Sequence, residues 1–298
     1  CHTGFACAYG GAQSLYFASG NHAAWEERVA GSPEYAFNEY LEFALTYGIV
    51  MCILALFVIF GCLWIGVRLR RYGVCGALIS LLVFSFSSYP LHLPAFIVAG
   101  ICLLLACGIG DLIGKPFVLC ICLILCTGGY MGKWRQEEEA CQKWVSARLL
   151  YSTGAYKAAD EAYGELYPIL REKGRFLFEY GHSLHKSLFY NESNKYLEEA
   201  CWYSTDPMIL NIIGKNYQEL HDYEQAENLF QRAIHRLPGR IYPYYLLANL
   251  YVEPDFYNPD KLKEVAGIVL TKEPKVHSTA IKEMRSKVRE ILEKANME

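Results

Sequence analysis

A stretch of 25 residues without a charged side chain, residues 43–67, constrains this chain more than any other feature. An α-helix needs about 20 predominantly apolar residues to cross the hydrocarbon core of a bilayer. The stretch follows directly on a polar segment that carries Asn38, Glu39 and Glu42. We therefore predict one unbroken helix that enters a membrane, with amide and carboxylate side chains held at the membrane face.

Charge divides the sequence into two parts. Residues 1–133 contain 6 Lys and Arg and 6 Asp and Glu, whereas residues 134–298 contain the other 22 and 25. The first part is therefore membrane-like and the second has the composition of a water-soluble domain. The formal net charge of −3 gives no electrostatic footprint for nucleic acid, so no nucleic-acid partner is expected.

Further membrane spans follow the first. Residues 72–110 contain no charged side chain over 39 positions, which is too long for one helix. Pro90 and Pro94 interrupt this stretch, because proline lacks an N–H and clashes with the preceding helical turn. The sequence predicts a transmembrane domain over residues 41–133 with helices near 43–67, 73–89, 94–110 and 116–132.

Three arginines after the first span indicate the orientation. Arg68, Arg70 and Arg71 form a basic cluster, and cytoplasmic loops carry an excess of such residues. With this loop in the cytoplasm, residues 1–40, the turn at 89–94 and everything after Lys133 lie on the outer side.

Residues 134–298 repeat with a period near 34. A small residue and an aromatic residue each recur with spacings of 34, 33 and 34, and this period is typical of stacked helical hairpins. We predict an all-α chain in which the membrane helices precede a tetratricopeptide (TPR) α-solenoid, closed by a capping helix near 278–294. The recurring residues are Ala147, Gly181, Gly214 and Ala248, and Tyr156, Tyr190, Tyr223 and Tyr257.

The inner face of a TPR array forms a groove, and the register predicts which side chains line it. The mixture of polar, basic and aromatic groups suits a peptide or a glycan, and it equally suits a solvated surface. Two histidines lie three residues apart, but further ligands are lacking, so neither a metal site nor a cofactor is expected. The predicted groove residues are Arg148, Tyr151, His182, His185, Asn211, Lys215, Tyr245 and Asn249.

Short motifs occur along the chain in a defined order. A glutamine–aromatic stretch at residues 10–17 precedes a polar loop, an Asn-x-x-Leu helix start at 38–41 and Tyr-Gly-Ile at 47–49. This order resembles the O-antigen polymerase and O-antigen ligase family. The turn at 89–94 and the C-terminal TPR array resemble a branch of that family in Bacteroides-like bacteria, and the resemblance covers nearly all 298 residues.

The resemblance implies a multi-pass protein of the bacterial inner membrane with a periplasmic array. It implies transfer of a glycan from an undecaprenyl-diphosphate carrier without a metal, in which a base activates the acceptor hydroxyl and arginines hold the diphosphate. Carried onto this sequence, it assigns Arg28, Asn38 and Glu39 to the site. Asn38 and Glu39 also fit simple helix capping, and Arg28 also fits a solvated loop charge.

The sequence departs from the family pattern at one position. Phe37 stands where many members have a histidine before the helix start, which leaves His22 and His92 as candidates for the base. With Arg28 as the one arginine before the first span, we expect the C-terminal part of a longer protein, inactive on its own. The alternative function is a membrane-tethered TPR scaffold that binds other proteins and catalyses nothing.

Overall fold

A computed structural model describes residues 5–108 and 135–295, and every regular element within these ranges is a helix. This confirms the predicted all-α class. The described residues form two compact units, one within Pro33–Glu139 and the other from Ala6–Ser32 together with Ala140–Glu298. The segment 1–40, which the sequence treats as one loop, is therefore divided between the two units.

The first unit contains four helices and a short 3₁₀ turn in its described part. The turn, Pro90–His92, separates two apolar helices where the two prolines predict a break. Among the described residues, the helix Ile49–Arg68 alone is long and apolar enough to cross a membrane, and Tyr72–Ser87 and Pro94–Cys107 are shorter apolar helices. The predicted span at 116–132 lies outside the described residues. The helices are α3 (Glu39–Tyr47), α4 (Ile49–Arg68), α5 (Tyr72–Ser87) and α6 (Pro94–Gly108).

The prediction of one unbroken helix over 43–67 is wrong, because the chain breaks at Gly48. This glycine has a φ of 93°, which L-residues rarely adopt and which glycine adopts without a Cβ clash. Its N–H still donates to the carbonyl of Ala44, at 3.0 Å, and closes α3. The carboxylates therefore lie on a short helix of their own, and the long apolar helix starts after it.

Small side chains allow the apolar helices of the first unit to approach each other. A Cβ atom placed on Gly66 would lie only 2.7 Å from the Sγ atom of Cys75. The Sγ atoms of Cys75 and Cys107 are 3.9 Å apart, and both residues are buried. These cysteines act as small hydrophobic residues, as free buried cysteine generally does.

The second unit is a succession of helices in which, from α8 to α15, each helix packs against the next. The final helix is amphipathic, with Val288 fully buried on its inner side. It agrees with the predicted capping helix near 278–294. The helices are α7 (135–152), α8 (Tyr156–Leu170), α9 (Gly174–Lys186), α10 (Tyr190–Ala200), α11 (Pro207–Glu219), α12 (Tyr223–Arg236), α13 (Tyr242–Leu250), α14 (Pro259–Thr271) and α15 (Thr279–Ala295).

The periodic small residues lie where helices of one hairpin touch. A Cβ atom on Gly214 would lie 2.5 Å from the ring of Phe230, and one on Gly181 would lie 2.6 Å from Cγ of Leu197. Ala147 and Ala248 are completely buried. The period near 34 therefore records close contacts between successive helices, as the sequence predicts.

Two N-terminal helices, α1 (Phe5–Ala18) and α2 (Ala24–Val29), belong largely to this second unit. The side-chain amide of Gln13 donates to the carbonyl of Arg236, at 2.5 Å, although 223 residues separate the two. Gly10 lies against Thr205 and Arg236, since an added Cβ would be 3.3 Å and 3.4 Å from their side chains. The glutamine–aromatic stretch is thus held by the helical array.

Candidate functional site

Asn38 and Glu39 have different structural roles at the start of α3. Asn38 is the N-cap, and its side-chain oxygen accepts from the backbone N–H of Leu41 at 2.9 Å. Glu39 is buried, and its carboxylate accepts from the backbone N–H of Leu91 at 2.7 Å. Glu39 therefore joins α3 to the 3₁₀ turn, which capping alone would not require.

Glu42 and His92 form a carboxylate–histidine pair beside this junction. The Nε2 atom of His92 lies 3.3 Å from one carboxylate oxygen of Glu42, and the backbone N–H of Ala36 donates to the other oxygen at 2.9 Å. The His92 ring also rests on Tyr35, with ring centroids 4.4 Å apart. His92 is thus the histidine that the structure places against α3, although it is 55 residues away from the motif position at Phe37.

The environment of Glu42 changes its proton affinity. Partial burial is the largest effect and raises the pKa of the Glu42 carboxyl, while the hydrogen bond from Ala36 and the charge of His92 lower it. The neighbouring carboxylate of Glu39 raises this pKa again. A carboxyl whose pKa lies above its usual value, paired with an imidazole, is suited to accept and return a proton.

An apolar cavity of about 230 Å³ lies among α3, α4, α5 and α6. Its walls come from the facing sides of these helices, and Glu39, Tyr40 and Ser85 are its few polar members. The hydroxyl of Tyr40 donates to the carbonyl of Leu82 at 2.7 Å. Glu39 is the charged residue of the lining. The apolar side chains named in the lining include Leu56, Ile59, Leu78, Leu81, Ile97, Ile101 and Leu104.

The third predicted catalytic residue, Arg28, belongs to the other unit. It is exposed at the end of α2 and lines a separate cavity of about 260 Å³ together with Lys272 and Lys275 of the array. His22, the other candidate base, lies in the same unit, with its ring centroid 4.9 Å from that of Phe17. The first unit thus brings together the predicted Asn38 and Glu39, the candidate base His92 and the unforeseen Glu42, and Arg28 has different neighbours.

The predicted groove residues of α7 and α9 are joined by contacts within the array. The guanidinium of Arg148 lies 3.3 Å from the carboxylate of Glu179, and the Tyr151 hydroxyl is 2.6 Å from Nδ1 of His182. His182 stacks on His185, with ring centroids 5.8 Å apart. Burial is the main cause that lowers the pKa of both histidines to about 4, so both are neutral at pH 7.

The groove residues of later helices differ in accessibility. Asn211 is buried, and its amide contacts the sulfur of Met208 at 3.7 Å. His185 is also buried, and its Nδ1 lies 2.6 Å from the side-chain oxygen of Asn216. Neither residue is therefore available at the surface of this conformation as the groove prediction assumes.

The remaining predicted groove residues are partly exposed. Lys215 is half-buried, and burial together with the charge of Lys186 lowers its pKa. The amide of Asn249 donates to the carbonyl of Tyr245 at 2.9 Å. Their exposed parts leave room for a ligand.

Glu42 is the site residue that sequence reasoning missed. It follows Glu39 by three residues, so both carboxylates lie on one side of the first turn of α3. The sequence shows the spacing of the two carboxylates, but it does not show that His92, 50 residues later, contacts Glu42.

Over 5–108 and 135–295, the structure contains no group of three or more His, Cys, Asp or Glu side chains that would hold a metal ion. Neither a protein-family model nor a curated protein matches this chain.

Proposed function

We propose that this chain is the C-terminal part of a bacterial inner-membrane protein that transfers a glycan from an undecaprenyl-diphosphate carrier, as O-antigen polymerases and ligases do. The observation that carries the proposal is the apolar cavity among α3 to α6, whose lining includes the buried Glu39, with the Glu42–His92 pair beside it. The helical array is a TPR domain on the periplasmic side that binds a protein or a glycan.

The outward surfaces of the apolar helices support a multi-pass arrangement in a lipid bilayer. Phe57 on α4, Phe86 on α5 and Val98 on α6 are all exposed, at 77%, 68% and 43% of their surface. Contiguous apolar surface of this kind is rare on soluble monomers and is favourable in lipid. We propose that α5 and α6 cross the membrane along with α4.

The cavity suits a short part of the prenyl chain of a lipid carrier. A chain of this kind has no polar group to satisfy, and it gains free energy wherever apolar surface leaves water. Glu39 is the charged group of the lining, so an occupant would have an apolar part along the helices and a polar part near α3. A lipid-linked sugar has this division.

The Glu42–His92 pair supplies the base. The acceptor hydroxyl gives its proton to this pair while its oxygen forms a bond to the anomeric carbon of the donor sugar. The bond from that carbon to the diphosphate oxygen breaks, and its electron pair leaves with the diphosphate. Attack from the opposite face inverts the configuration of the sugar, and cationic groups stabilise the leaving diphosphate.

A deletion tests the proposal in the intact bacterium. Deleting the gene of the full-length protein should shorten the surface glycan if the protein is a polymerase, and should remove core-attached chains if it is a ligase. A gel of the surface glycan reports either change. An unchanged glycan ladder would reject the enzyme and favour the membrane-tethered scaffold.

Complementation then tests the site. Glu42→Gln and His92→Gln should each fail to restore the ladder, because the first removes the carboxylate of the pair and the second removes the imidazole. Glu34→Gln makes the same chemical change at an exposed carboxylate nearby and should restore it. Equal restoration by all three variants would contradict the assignment of the base.

A further inference from the structure

A cavity of about 260 Å³ separates α2 from the segment at 272–275 that follows α14. Residues far apart in the sequence meet here, and none of them belongs to the predicted groove of the array. The cavity contains three cationic and two anionic side chains. The residues that matter for binding are Glu27, Arg28, Gly239, Lys272, Glu273 and Lys275.

One ion pair and one close backbone contact fix the base of this cavity. The ammonium of Lys272 lies 2.8 Å from a carboxylate oxygen of Glu27 and 5.5 Å from the ring centroid of Tyr244. The backbone carbonyl of Glu27 approaches Gly239 so closely that an added Cβ would lie only 3.1 Å away. The Glu27–Lys272 pair, with Lys272 against Tyr244 and Glu27 against Gly239, holds the cavity in shape before any ligand binds.

The other charged groups of the cavity are free to meet a ligand. The Arg28 side chain is exposed and, within the part of the chain that the structure describes, makes no hydrogen bond or ion pair. Lys275 is also exposed, and its ammonium makes only a long contact, 3.4 Å, with the carbonyl of Ala30. Glu273 is exposed as well and offers a carboxylate acceptor.

We propose that this cavity binds an acidic sugar residue of the glycan. The sugar carboxylate bonds to Arg28 and Lys275, since guanidinium and carboxylate form two parallel hydrogen bonds. Its hydroxyls donate to the carboxylate of Glu273. The inference rests on the proposed function only in taking a glycan as the substrate.

The mixture of charges favours an acidic sugar over the carrier diphosphate that the resemblance assigns to Arg28. A diphosphate carries more than one negative charge and has no hydrogen-bond donor when ionised, so Glu27 and Glu273 would repel it. A sugar with one carboxylate and several hydroxyls uses both the cations and the carboxylates. A volume of about 260 Å³ suits one small polar ring rather than a long glycan.

Titration of the purified full chain in detergent with glucuronate, glucose and inorganic diphosphate tests the proposal. Glucuronate should bind at least tenfold more tightly than glucose, and more tightly than diphosphate. Equal binding of glucose, or tighter binding of diphosphate, would overturn the proposal.

Variants identify the cavity as the place of binding. Arg28→Gln and Lys275→Gln should each weaken glucuronate binding about tenfold or more, whereas Lys275→Arg should keep most of it. Lys282→Gln removes an exposed charge on α15 outside the cavity and should leave binding unchanged. Circular dichroism before each titration verifies the fold, and wild-type affinity in both cavity variants would refute the site.

The outcomes separate this site from the proposed enzyme. Glucuronate binding in a chain whose deletion leaves the surface glycan unchanged would keep the site and reject the transferase. A changed surface glycan with no glucuronate binding would keep the transferase and reject the site.

Discussion

Replacing Gly214 by alanine tests the contact between α11 and α12 that sets the repeat. The new Cβ would lie 2.5 Å from one carbon of the Phe230 ring and 2.8 Å from a second. Phe230 is fully buried, so its ring would move only by displacing the side chains packed around it. Overpacking of this kind costs about 1–3 kcal/mol.

Alanine also stabilises a helix relative to glycine, by about 1 kcal/mol, and this gain partly offsets the clash. Gly267 on α14 separates the two effects, because an added Cβ there meets no atom within 4 Å. Gly267→Ala should therefore stabilise the protein by up to about 1 kcal/mol. The difference in unfolding free energy between the two alanine variants isolates the steric cost of about 1–3 kcal/mol.

Thermal unfolding followed by circular dichroism measures this difference in the full chain. One kcal/mol shifts Tm by about 2–4 °C in a domain of this size, so the two variants should melt about 2–12 °C apart. Gly214→Leu should melt lower than Gly214→Ala, because it places more atoms against the same ring. Equal Tm values for Gly214→Ala and Gly267→Ala would refute the contact.

Two further predictions concern orientation and pH. Alkaline phosphatase fused after Arg71 should be inactive and fused after Trp134 active, because the arginine loop is expected in the cytoplasm; the reverse pattern would overturn the orientation. The pKa values of His182 and His185 are lowered to about 4 in the folded chain. Between about pH 6.5 and 4, the unfolded chain therefore binds more protons than the folded chain. The free energy of unfolding should fall as pH falls through that window. The urea midpoint at pH 7.5 and at pH 5 measures this loss of stability. A double replacement of His182 and His185 by glutamine should reduce the loss. The same loss in the double variant would contradict the assignment of the pH dependence to these two histidines.

The array could be predicted because its signal repeats along the sequence. Gly181 and Gly214 occupy equivalent positions, and each touches one bulky side chain of the next helix, so a small residue recurs wherever the contact does. Pro90 and Pro94 similarly predicted the turn between α5 and α6, since proline limits the backbone by its own chemistry.

The break at Gly48 could not be predicted in this way. Hydropathy measures how apolar a stretch is, and Ala44 to Ile49 reads as uninterrupted. The backbone angle of a single glycine carries no such signal, because glycine is also tolerated inside helices. Hydropathy therefore predicts the carboxylates of α3 at the entry of one continuous helix rather than on a separate helix before it.

Contacts between distant residues were also outside the reach of sequence reasoning. His92 meets Glu42 because the turn after α5 returns to α3, and Lys272 meets Glu27 because α2 lies against the array. Neither pair has a spacing that a single sequence makes distinctive. The cavity at Arg28 therefore emerged only from the structure.

The contact between Glu27 and Lys272 also sets an order of events during synthesis. Lys272 follows Glu27 by 245 positions, and the chain between them includes the described apolar helices α4, α5 and α6 of the first unit. At roughly 5–20 residues per second, a ribosome needs about 10 to 50 seconds to make that segment. Helices α1 and α2 therefore wait without their partner while the apolar helices emerge, and during this time a chaperone or protease has access to them.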